Sequence, residues 1–205
     1  MKLIITSDTE GDHREAIVPH GDVFIFGGDL IAQGSPNRYG PYESQLNDFI
    51  DWLDKLPHKH KIFIGGNHDG ILNRWDKKLP KGIHYLENES IVLDGIKYWG
   101  SPNTVAFFGM PFELPEESLI DVYDTIPDDV DVLITHVPPY GVLDESSGGK
   151  HCGSQSLSDR LDELNPKVHI FGHIHNAYGH VVNNGIETFN ASFQYDRNPV
   201  FSIDI

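Results

Sequence analysis

Short apolar runs recur along the chain, and each stops abruptly at Gly, Asp, Asn or His. Leu3-Ile4-Ile5-Thr6-Ser7 leads to Asp8, and Val23-Phe24-Ile25-Phe26 leads to Gly27-Gly28-Asp29. Ile62-Phe63-Ile64 leads to Gly65-Gly66-Asn67-His68-Asp69, and Val132-Leu133-Ile134-Thr135 leads to His136. The last run, His169-Ile170-Phe171, ends in Gly172-His173-Ile174-His175. A short continuous apolar run bounded by turn residues reads as a buried strand. Between these runs the period changes to 3.6. Leu46, Phe49, Ile50, Leu53 and Leu56 share one helical face over 42–56, with Pro57 as the stop and Trp52 off the stripe, partly exposed. A second helix is expected over 156–165, with Leu157, Leu161 and Leu164 inward and Ser156 or Ser158 as N-cap.

The remaining chain is less regular. Residues 83–86, 89–93 and 96–99 alternate or run apolar around Asn88 and Asp94-Gly95, which predicts an antiparallel meander. The segment Ser101 to Leu114 holds Phe107, Phe108 and Phe112 between Gly and Pro; it is either an apolar satellite or a wall for a ligand. Residues 116–125 predict a short helix, and 168–171, 178–182, 186–190 and 200–204 predict strands. The stretches 34–41 and 137–154 are loops, and the second is long enough to suggest function.

The 205 residues suit one domain, 1–205, with a substantial core. The net charge of −16 opposes binding to a nucleic-acid backbone or an anionic membrane. Cys152 is the sole cysteine, as expected in a reducing compartment. Met1-Lys2 runs straight into the first strand, which leaves no room for a signal peptide, and no apolar run is long enough to cross a bilayer. The expected location is the cytoplasm.

The polar residues at the strand ends carry the chemistry. Asp8, Glu10, Asp29, Asn67, His136, His173 and His175 form a mixed set of carboxylates, amide oxygen and imidazoles, which suits divalent first-row metals. Two metals sharing one carboxylate can generate hydroxide and clamp a phosphoryl group. Asp29, flanked by Gly27-Gly28, is the natural bridge. His68 is a candidate general acid, and Asp69 is either its orienting partner or the cap of the next helical turn. Each signal is weak alone, and twelve histidines yield a His-x-His pair by chance. An ordered series of ligand-bearing strand ends is not expected by chance.

This order of motifs resembles the calcineurin-like metallophosphoesterase superfamily, and most closely its metallophosphoesterase-domain-containing (MPPED) branch. The resemblance covers nearly the whole chain. Its more specific stretches are Tyr98-Trp99-Gly100-Ser101-Pro102, Thr135 to Asp144, and His169 to His175. It implies an α/β fold, a four-layer α/β/β/α sandwich of mixed sheets with the site at strand C-termini. It implies one metal held by Asp8, residue 10, Asp29 and His175, and a second held by Asp29, Asn67, His136 and His173. The implied activity is cleavage of small phosphodiesters such as cyclic nucleotides by a metal-bridging hydroxide, with His68 assisting the leaving group. Mn²⁺ is the expected metal, with Mg²⁺, Fe or Zn²⁺ as substitutes.

One ligand departs from the pattern: the family's Asp-x-His is Asp8-Thr9-Glu10 here. Either Glu10 binds metal through oxygen, or the first site is weakened and holds one metal or none. His13 lies three residues on and is not given the role. Two other functions compete with a small-molecule phosphodiesterase: a nuclease of the same superfamily, disfavoured by the charge, and a non-enzymatic scaffold with a weakened first site. Lys150 and His151 are candidate phosphate contacts.

Overall fold

The apolar runs pair in parallel, and their register brings the polar ends level. The computed structural model describes residues 1–34, 36–76, 78–194 and 197–205. In the first sheet, β1 (Lys2–Thr6), β2 (Val23–Phe26), β3 (His60–Phe63) and β4 (Ile83–Tyr85) lie side by side and parallel. In the second sheet, the hairpin β5 (Glu89–Leu93) and β6 (Ile96–Ser101) forms one edge. A small parallel ribbon of β7 (Thr104–Val105) and β8 (Glu113–Leu114) follows. The second sheet continues through β9 (Val132–Thr135), β10 (Val168–Phe171), β11 (Gly179–Asn183) and β12 (Ile186–Asn190), in the order β11-β12-β10-β9-β6-β5. Here β6, β9, β10 and β12 are parallel, and the two edge strands run against them. Finally β13 (Phe201–Asp204) pairs antiparallel with β1.

Burial of both faces explains why the runs are continuous rather than alternating. Leu3, Ile5, Ile25 and Ile62 of the first sheet meet Tyr98, Ile134 and Ile170 of the second in a shared core. On the other face of the first sheet, Ile4, Phe24, Phe26 and Phe63 pack with Leu46, Phe49 and Leu53 of the helix Tyr42–Lys55. Each such large apolar side chain contributes about 1.5–3 kcal/mol by burial. The second sheet turns Trp99 and Leu133 towards Leu119 and Tyr123 of Glu116–Tyr123 and Leu157 and Leu161 of Gln155–Glu163. With Pro36–Tyr39 as α1, these helices are α2, α3 and α4. The layers are helix, sheet, sheet, helix, as expected. In the 34–41 stretch Ser35 lies outside the described residues.

Three local expectations are corrected. The 83–99 region is no meander: β4 joins the first sheet beside β3, and only β5 and β6 form a hairpin. Asn88, at φ 57°, turns the chain from one sheet to the other, and Asp94-Gly95, both at positive φ, closes the hairpin. Trp52 is 8% exposed, because Phe24, Phe49 and the buried ring of His13 surround it. The cap of α4 is Ser154, whose Oγ accepts the N–H of Leu157 at 3.2 Å. The choice among nearby serines falls to Glu116 of α3, which accepts both the Ser154 and Ser156 hydroxyls and the Ser156 N–H.

Candidate functional site

The two sheets are stitched together where their strands end. Ser7, just past β1, donates its N–H to Ala191 and accepts from the N–H of Phe193, both at 2.9 Å. Asp8 then donates its N–H to Gly28, and Gly172 donates to His136. The loop after β1 thereby meets the chain after β12, and His173 N–H and His136 Nδ1 add bonds from the second sheet to Asp8 and Gly27 of the first. The approach is close enough to require glycine: a Cβ on Gly28 would lie 2.5 Å from His136 Nδ1, and one on Gly172 would overlap Asp8 Oδ2.

Asp8, Glu10, Asp29 and His173 all hold left-handed backbone, at φ 53°, 42°, 56° and 65°. Each such non-glycine residue costs about 1–3 kcal/mol and persists only where its surroundings impose it. Here they do: Glu10 donates its N–H to the carbonyl of Asp29 at 3.0 Å, and His173 donates its N–H to Asp8 Oδ1 at 2.9 Å. Nothing in the sequence marked these conformations except the neighbouring glycines.

The side chains converge on Asp29. Its carboxylate belongs to three groups whose ligand-type atoms lie within 4.8 Å of one another: with His136 and His173, with Asp8 and His175, and with Glu10 and His68. Asn67 joins the first, its Oδ1 standing 3.2 Å from His136 Nε2. Asp8 Oδ1 is 3.2 Å from His175 Nε2, while Oδ2 accepts the hydroxyl of Ser192, a partner that sequence reading missed. All seven expected ligands and His68 are thus brought to one place.

The donor chemistry of this place fits a metal ion. His136 donates from Nδ1 to the carbonyl of Gly27 at 2.8 Å. Its Nε2 then faces Asn67 Oδ1 and Asp29 Oδ2, both at 3.2 Å. Three lone-pair atoms pointing at each other need a cation or an added proton between them. Burial works against protonating His136, but the carboxylates of Asp29 and Asp8 hold its imidazole up at about 10. His173, buried and beside His136, is pushed down to about 4 and stays a neutral lone-pair donor. Burial raises the Glu10 carboxyl against the pull of His68 and His175.

The Asp69 side chain bonds to backbone groups. It is fully buried and precedes the 3₁₀ turn Gly70–Arg74, but its side chain does not cap that turn. Its carboxylate instead accepts the N–H groups of Leu30, Ile31 and Gly66 at 2.8–3.2 Å, locking the loop after β2 to the loop after β3. Orientation of His68 by a direct bond from Asp69 is not what the geometry offers. Among the described residues the nearest carboxylate oxygen to His68 Nδ1 is Glu10 Oε1, at 3.7 Å. We expect Asp69→Ala to lower unfolding free energy by at least about 3 kcal/mol, since three buried N–H groups lose their acceptor. Urea denaturation checks this. His13 points away from the site, against Asp48 of α2.

A cavity of about 720 Å³ opens over the cluster, lined by Glu10, Asp29, Asn67, His68, His173 and His175 at one side. Phe107, Phe108, Lys150 and His151 line its walls, so the aromatic segment faces the site. Phe112 does not: it packs against the core beneath β3.

The calcineurin-like phosphoesterase family pattern matches residues 1–177. UPF0046 protein K07C11.7 of Caenorhabditis elegans is 31% identical over 96% of this chain and 71% of its own length. Human metallophosphoesterase domain-containing protein 1 is 31% identical over 93% of this chain, which spans 65% of that relative. A solved crystal structure at 16% identity covers 99% of the chain and 98% of its own with a TM-score of 0.70, a likeness of fold. Among the described residues no helix is long and apolar enough to cross a membrane. The strand-end ligand cluster, the four-layer fold and the matched pattern agree: the chain belongs to the calcineurin-like phosphoesterase family, whose members are metal-dependent phosphoesterases.

Proposed function

We propose that the chain hydrolyses small phosphodiesters, cyclic nucleotides among them, at a pair of divalent metals bridged by Asp29. The observation that carries this reading is the place of Asp29 in all three ligand clusters among the described residues, each of which includes histidine. Asp8, Glu10, Asp29 and His175 would hold one ion, and Asp29, Asn67, His136 and His173 the other. When bound, the pair would supply an activated water and neutralise charge on the phosphoryl oxygens. The protein's own part is to hold the ligands in place before substrate arrives, through the left-handed residues and the bonds that fix them. His68, at the cavity edge, would give a proton to the leaving oxygen.

Glu10 supports a harder first site. With three carboxylates, two divalent ions and one hydroxide, the formal charge of the centre is zero. An imidazole at position 10 would leave it positive. Carboxylate oxygen favours Mn²⁺ or Mg²⁺ over Zn²⁺. We expect Glu10→His to shift metal content towards Zn²⁺ when the protein is loaded from an equimolar Mn²⁺ and Zn²⁺ mixture. Elemental analysis showing the same ratio in parent and variant would defeat the idea.

The function itself is tested by a Mn²⁺-supplemented screen of phosphomonoesters, phosphodiesters, cyclic nucleotides and a short oligonucleotide, with a chelated control. Diester hydrolysis abolished by chelation supports the reading. Preference for the oligonucleotide would favour a nuclease. Inert protein that takes up no metal would favour a scaffold.

A further inference from the structure

We propose that Phe107 and Phe108 form an aryl subsite, so that the substrate's organic part is a flat aromatic or heteroaromatic ring held beside Lys150. This rests on the phosphoester reading above. The two rings are 71% and 78% exposed, although they belong to the residue types that bury most readily. They stand edge to face, with centroids 4.5 Å apart, and line the same cavity as Asp29, Asn67 and His68. A concave setting shared with polar site residues suits a small ligand.

Their exposure is built in rather than a result of fraying. The loop that carries them springs from the β7–β8 ribbon, whose ends are tied by Thr104 N–H to the Phe112 carbonyl and Ala106 N–H to the Leu114 carbonyl. Within the loop, the carboxylate of Glu113 accepts the N–H groups of Phe107 at 3.0 Å, Phe108 at 3.0 Å and Gly109 at 2.7 Å. Three backbone donors around one carboxylate fix the main chain from which both rings project.

The adjoining wall is also ordered. Buried Asp144 accepts from the N–H groups of Gly141 and Gly153 and lies 2.7 Å from His151 Nδ1. Next to it, Lys150 Nζ sits 5.1 Å from the Phe107 centroid. Two exposed rings, one already carrying a cation over its face, match a flat π-system bearing an anionic phosphoryl group. The cavity, at about 720 Å³, has room for that group beyond the phosphate itself.

Calorimetric titration of the metal-loaded protein with phenylphosphonate and methylphosphonate tests this without turnover. The phenyl compound is expected to bind at least about fivefold more tightly, the lower bound for stacking on an aromatic side chain. In Phe107→Ala/Phe108→Ala the preference should fall to within about twofold while methylphosphonate affinity holds. Phe107→Tyr/Phe108→Tyr should restore it. A nucleoside 5′-monophosphate against ribose 5-phosphate then separates the two sources of ring: a larger factor there supports a nucleobase, an equal one a simple aryl group. Equal binding of the two phosphonates by the parent, or a preference that survives the double alanine variant, overturns the subsite alone. If neither phosphonate nor inorganic phosphate binds, the phosphoester reading fails and the subsite falls with it.

Discussion

Asp29→Asn is expected to lower kcat/KM for a phosphodiester by about 10³-fold and to cut metal content at both positions. The carboxylate is shared by all three ligand clusters among the described residues, so its loss would reach both proposed metals at once. Without metal it is also the charge that raises the His136 imidazole, to about 10 and against burial. Neutralising it leaves His136, Asn67 and His173 with less attraction for a cation. A loss of about 4 kcal/mol of transition-state stabilisation corresponds to the stated factor. The side chain is nearly isosteric, but its amide keeps one acceptor oxygen, so either the His68 N–H now 2.8 Å from Asp29 Oδ1 or the His136 Nε2 now 3.2 Å from Oδ2 comes to face an NH2 group. Thermal unfolding of the metal-free forms separates this local conflict from metal loss. A variant that retains full metal content and activity would contradict the bridging role.

His68→Ala is expected to divide substrates by their leaving group. For an alkoxide leaving group, which needs a proton, kcat should fall by about 10²- to 10⁴-fold. For p-nitrophenolate, stable as an anion, it should fall by less than about tenfold. The imidazole lines the cavity beside Glu10 and Asp29, and its backbone N–H, rather than its ring, is tied to Asp29. Removing the ring therefore leaves the ligand frame standing, and KM should change little. Steady-state kinetics on paired alkyl and p-nitrophenyl diesters reads this out. Equal losses on both would recast His68 as a group that positions the phosphate.

Much of the fold was legible because both sheets are buried on both sides. Continuous runs such as Leu3–Ile5 and Val132–Ile134 then announce strands without ambiguity. Which sheet a strand joins was less legible. Ile83 and Tyr85 alternate with His84 like a meander strand, but their partner is β3, and only the turn at Asn88 sends β5 elsewhere. The ligand set was readable from residue types at strand ends, since parallel strands in register bring those ends level. The role of Asp69 was not. Its bonds reach Leu30 and Ile31, distant in sequence and close only after β2 and β3 pair. Trp52 was misplaced for a related reason: the pocket that receives it is built by Phe24 and His13, neither on its own helix.

The central claim is that residues from separate strand ends hold two cations with Asp29 between them. Anomalous diffraction at the manganese edge from crystals grown with Mn²⁺ tests it directly. Two peaks about 3.5–4 Å apart, both within bonding reach of the Asp29 carboxylate, are predicted. A single peak, or two peaks of which only one touches Asp29, would contradict it.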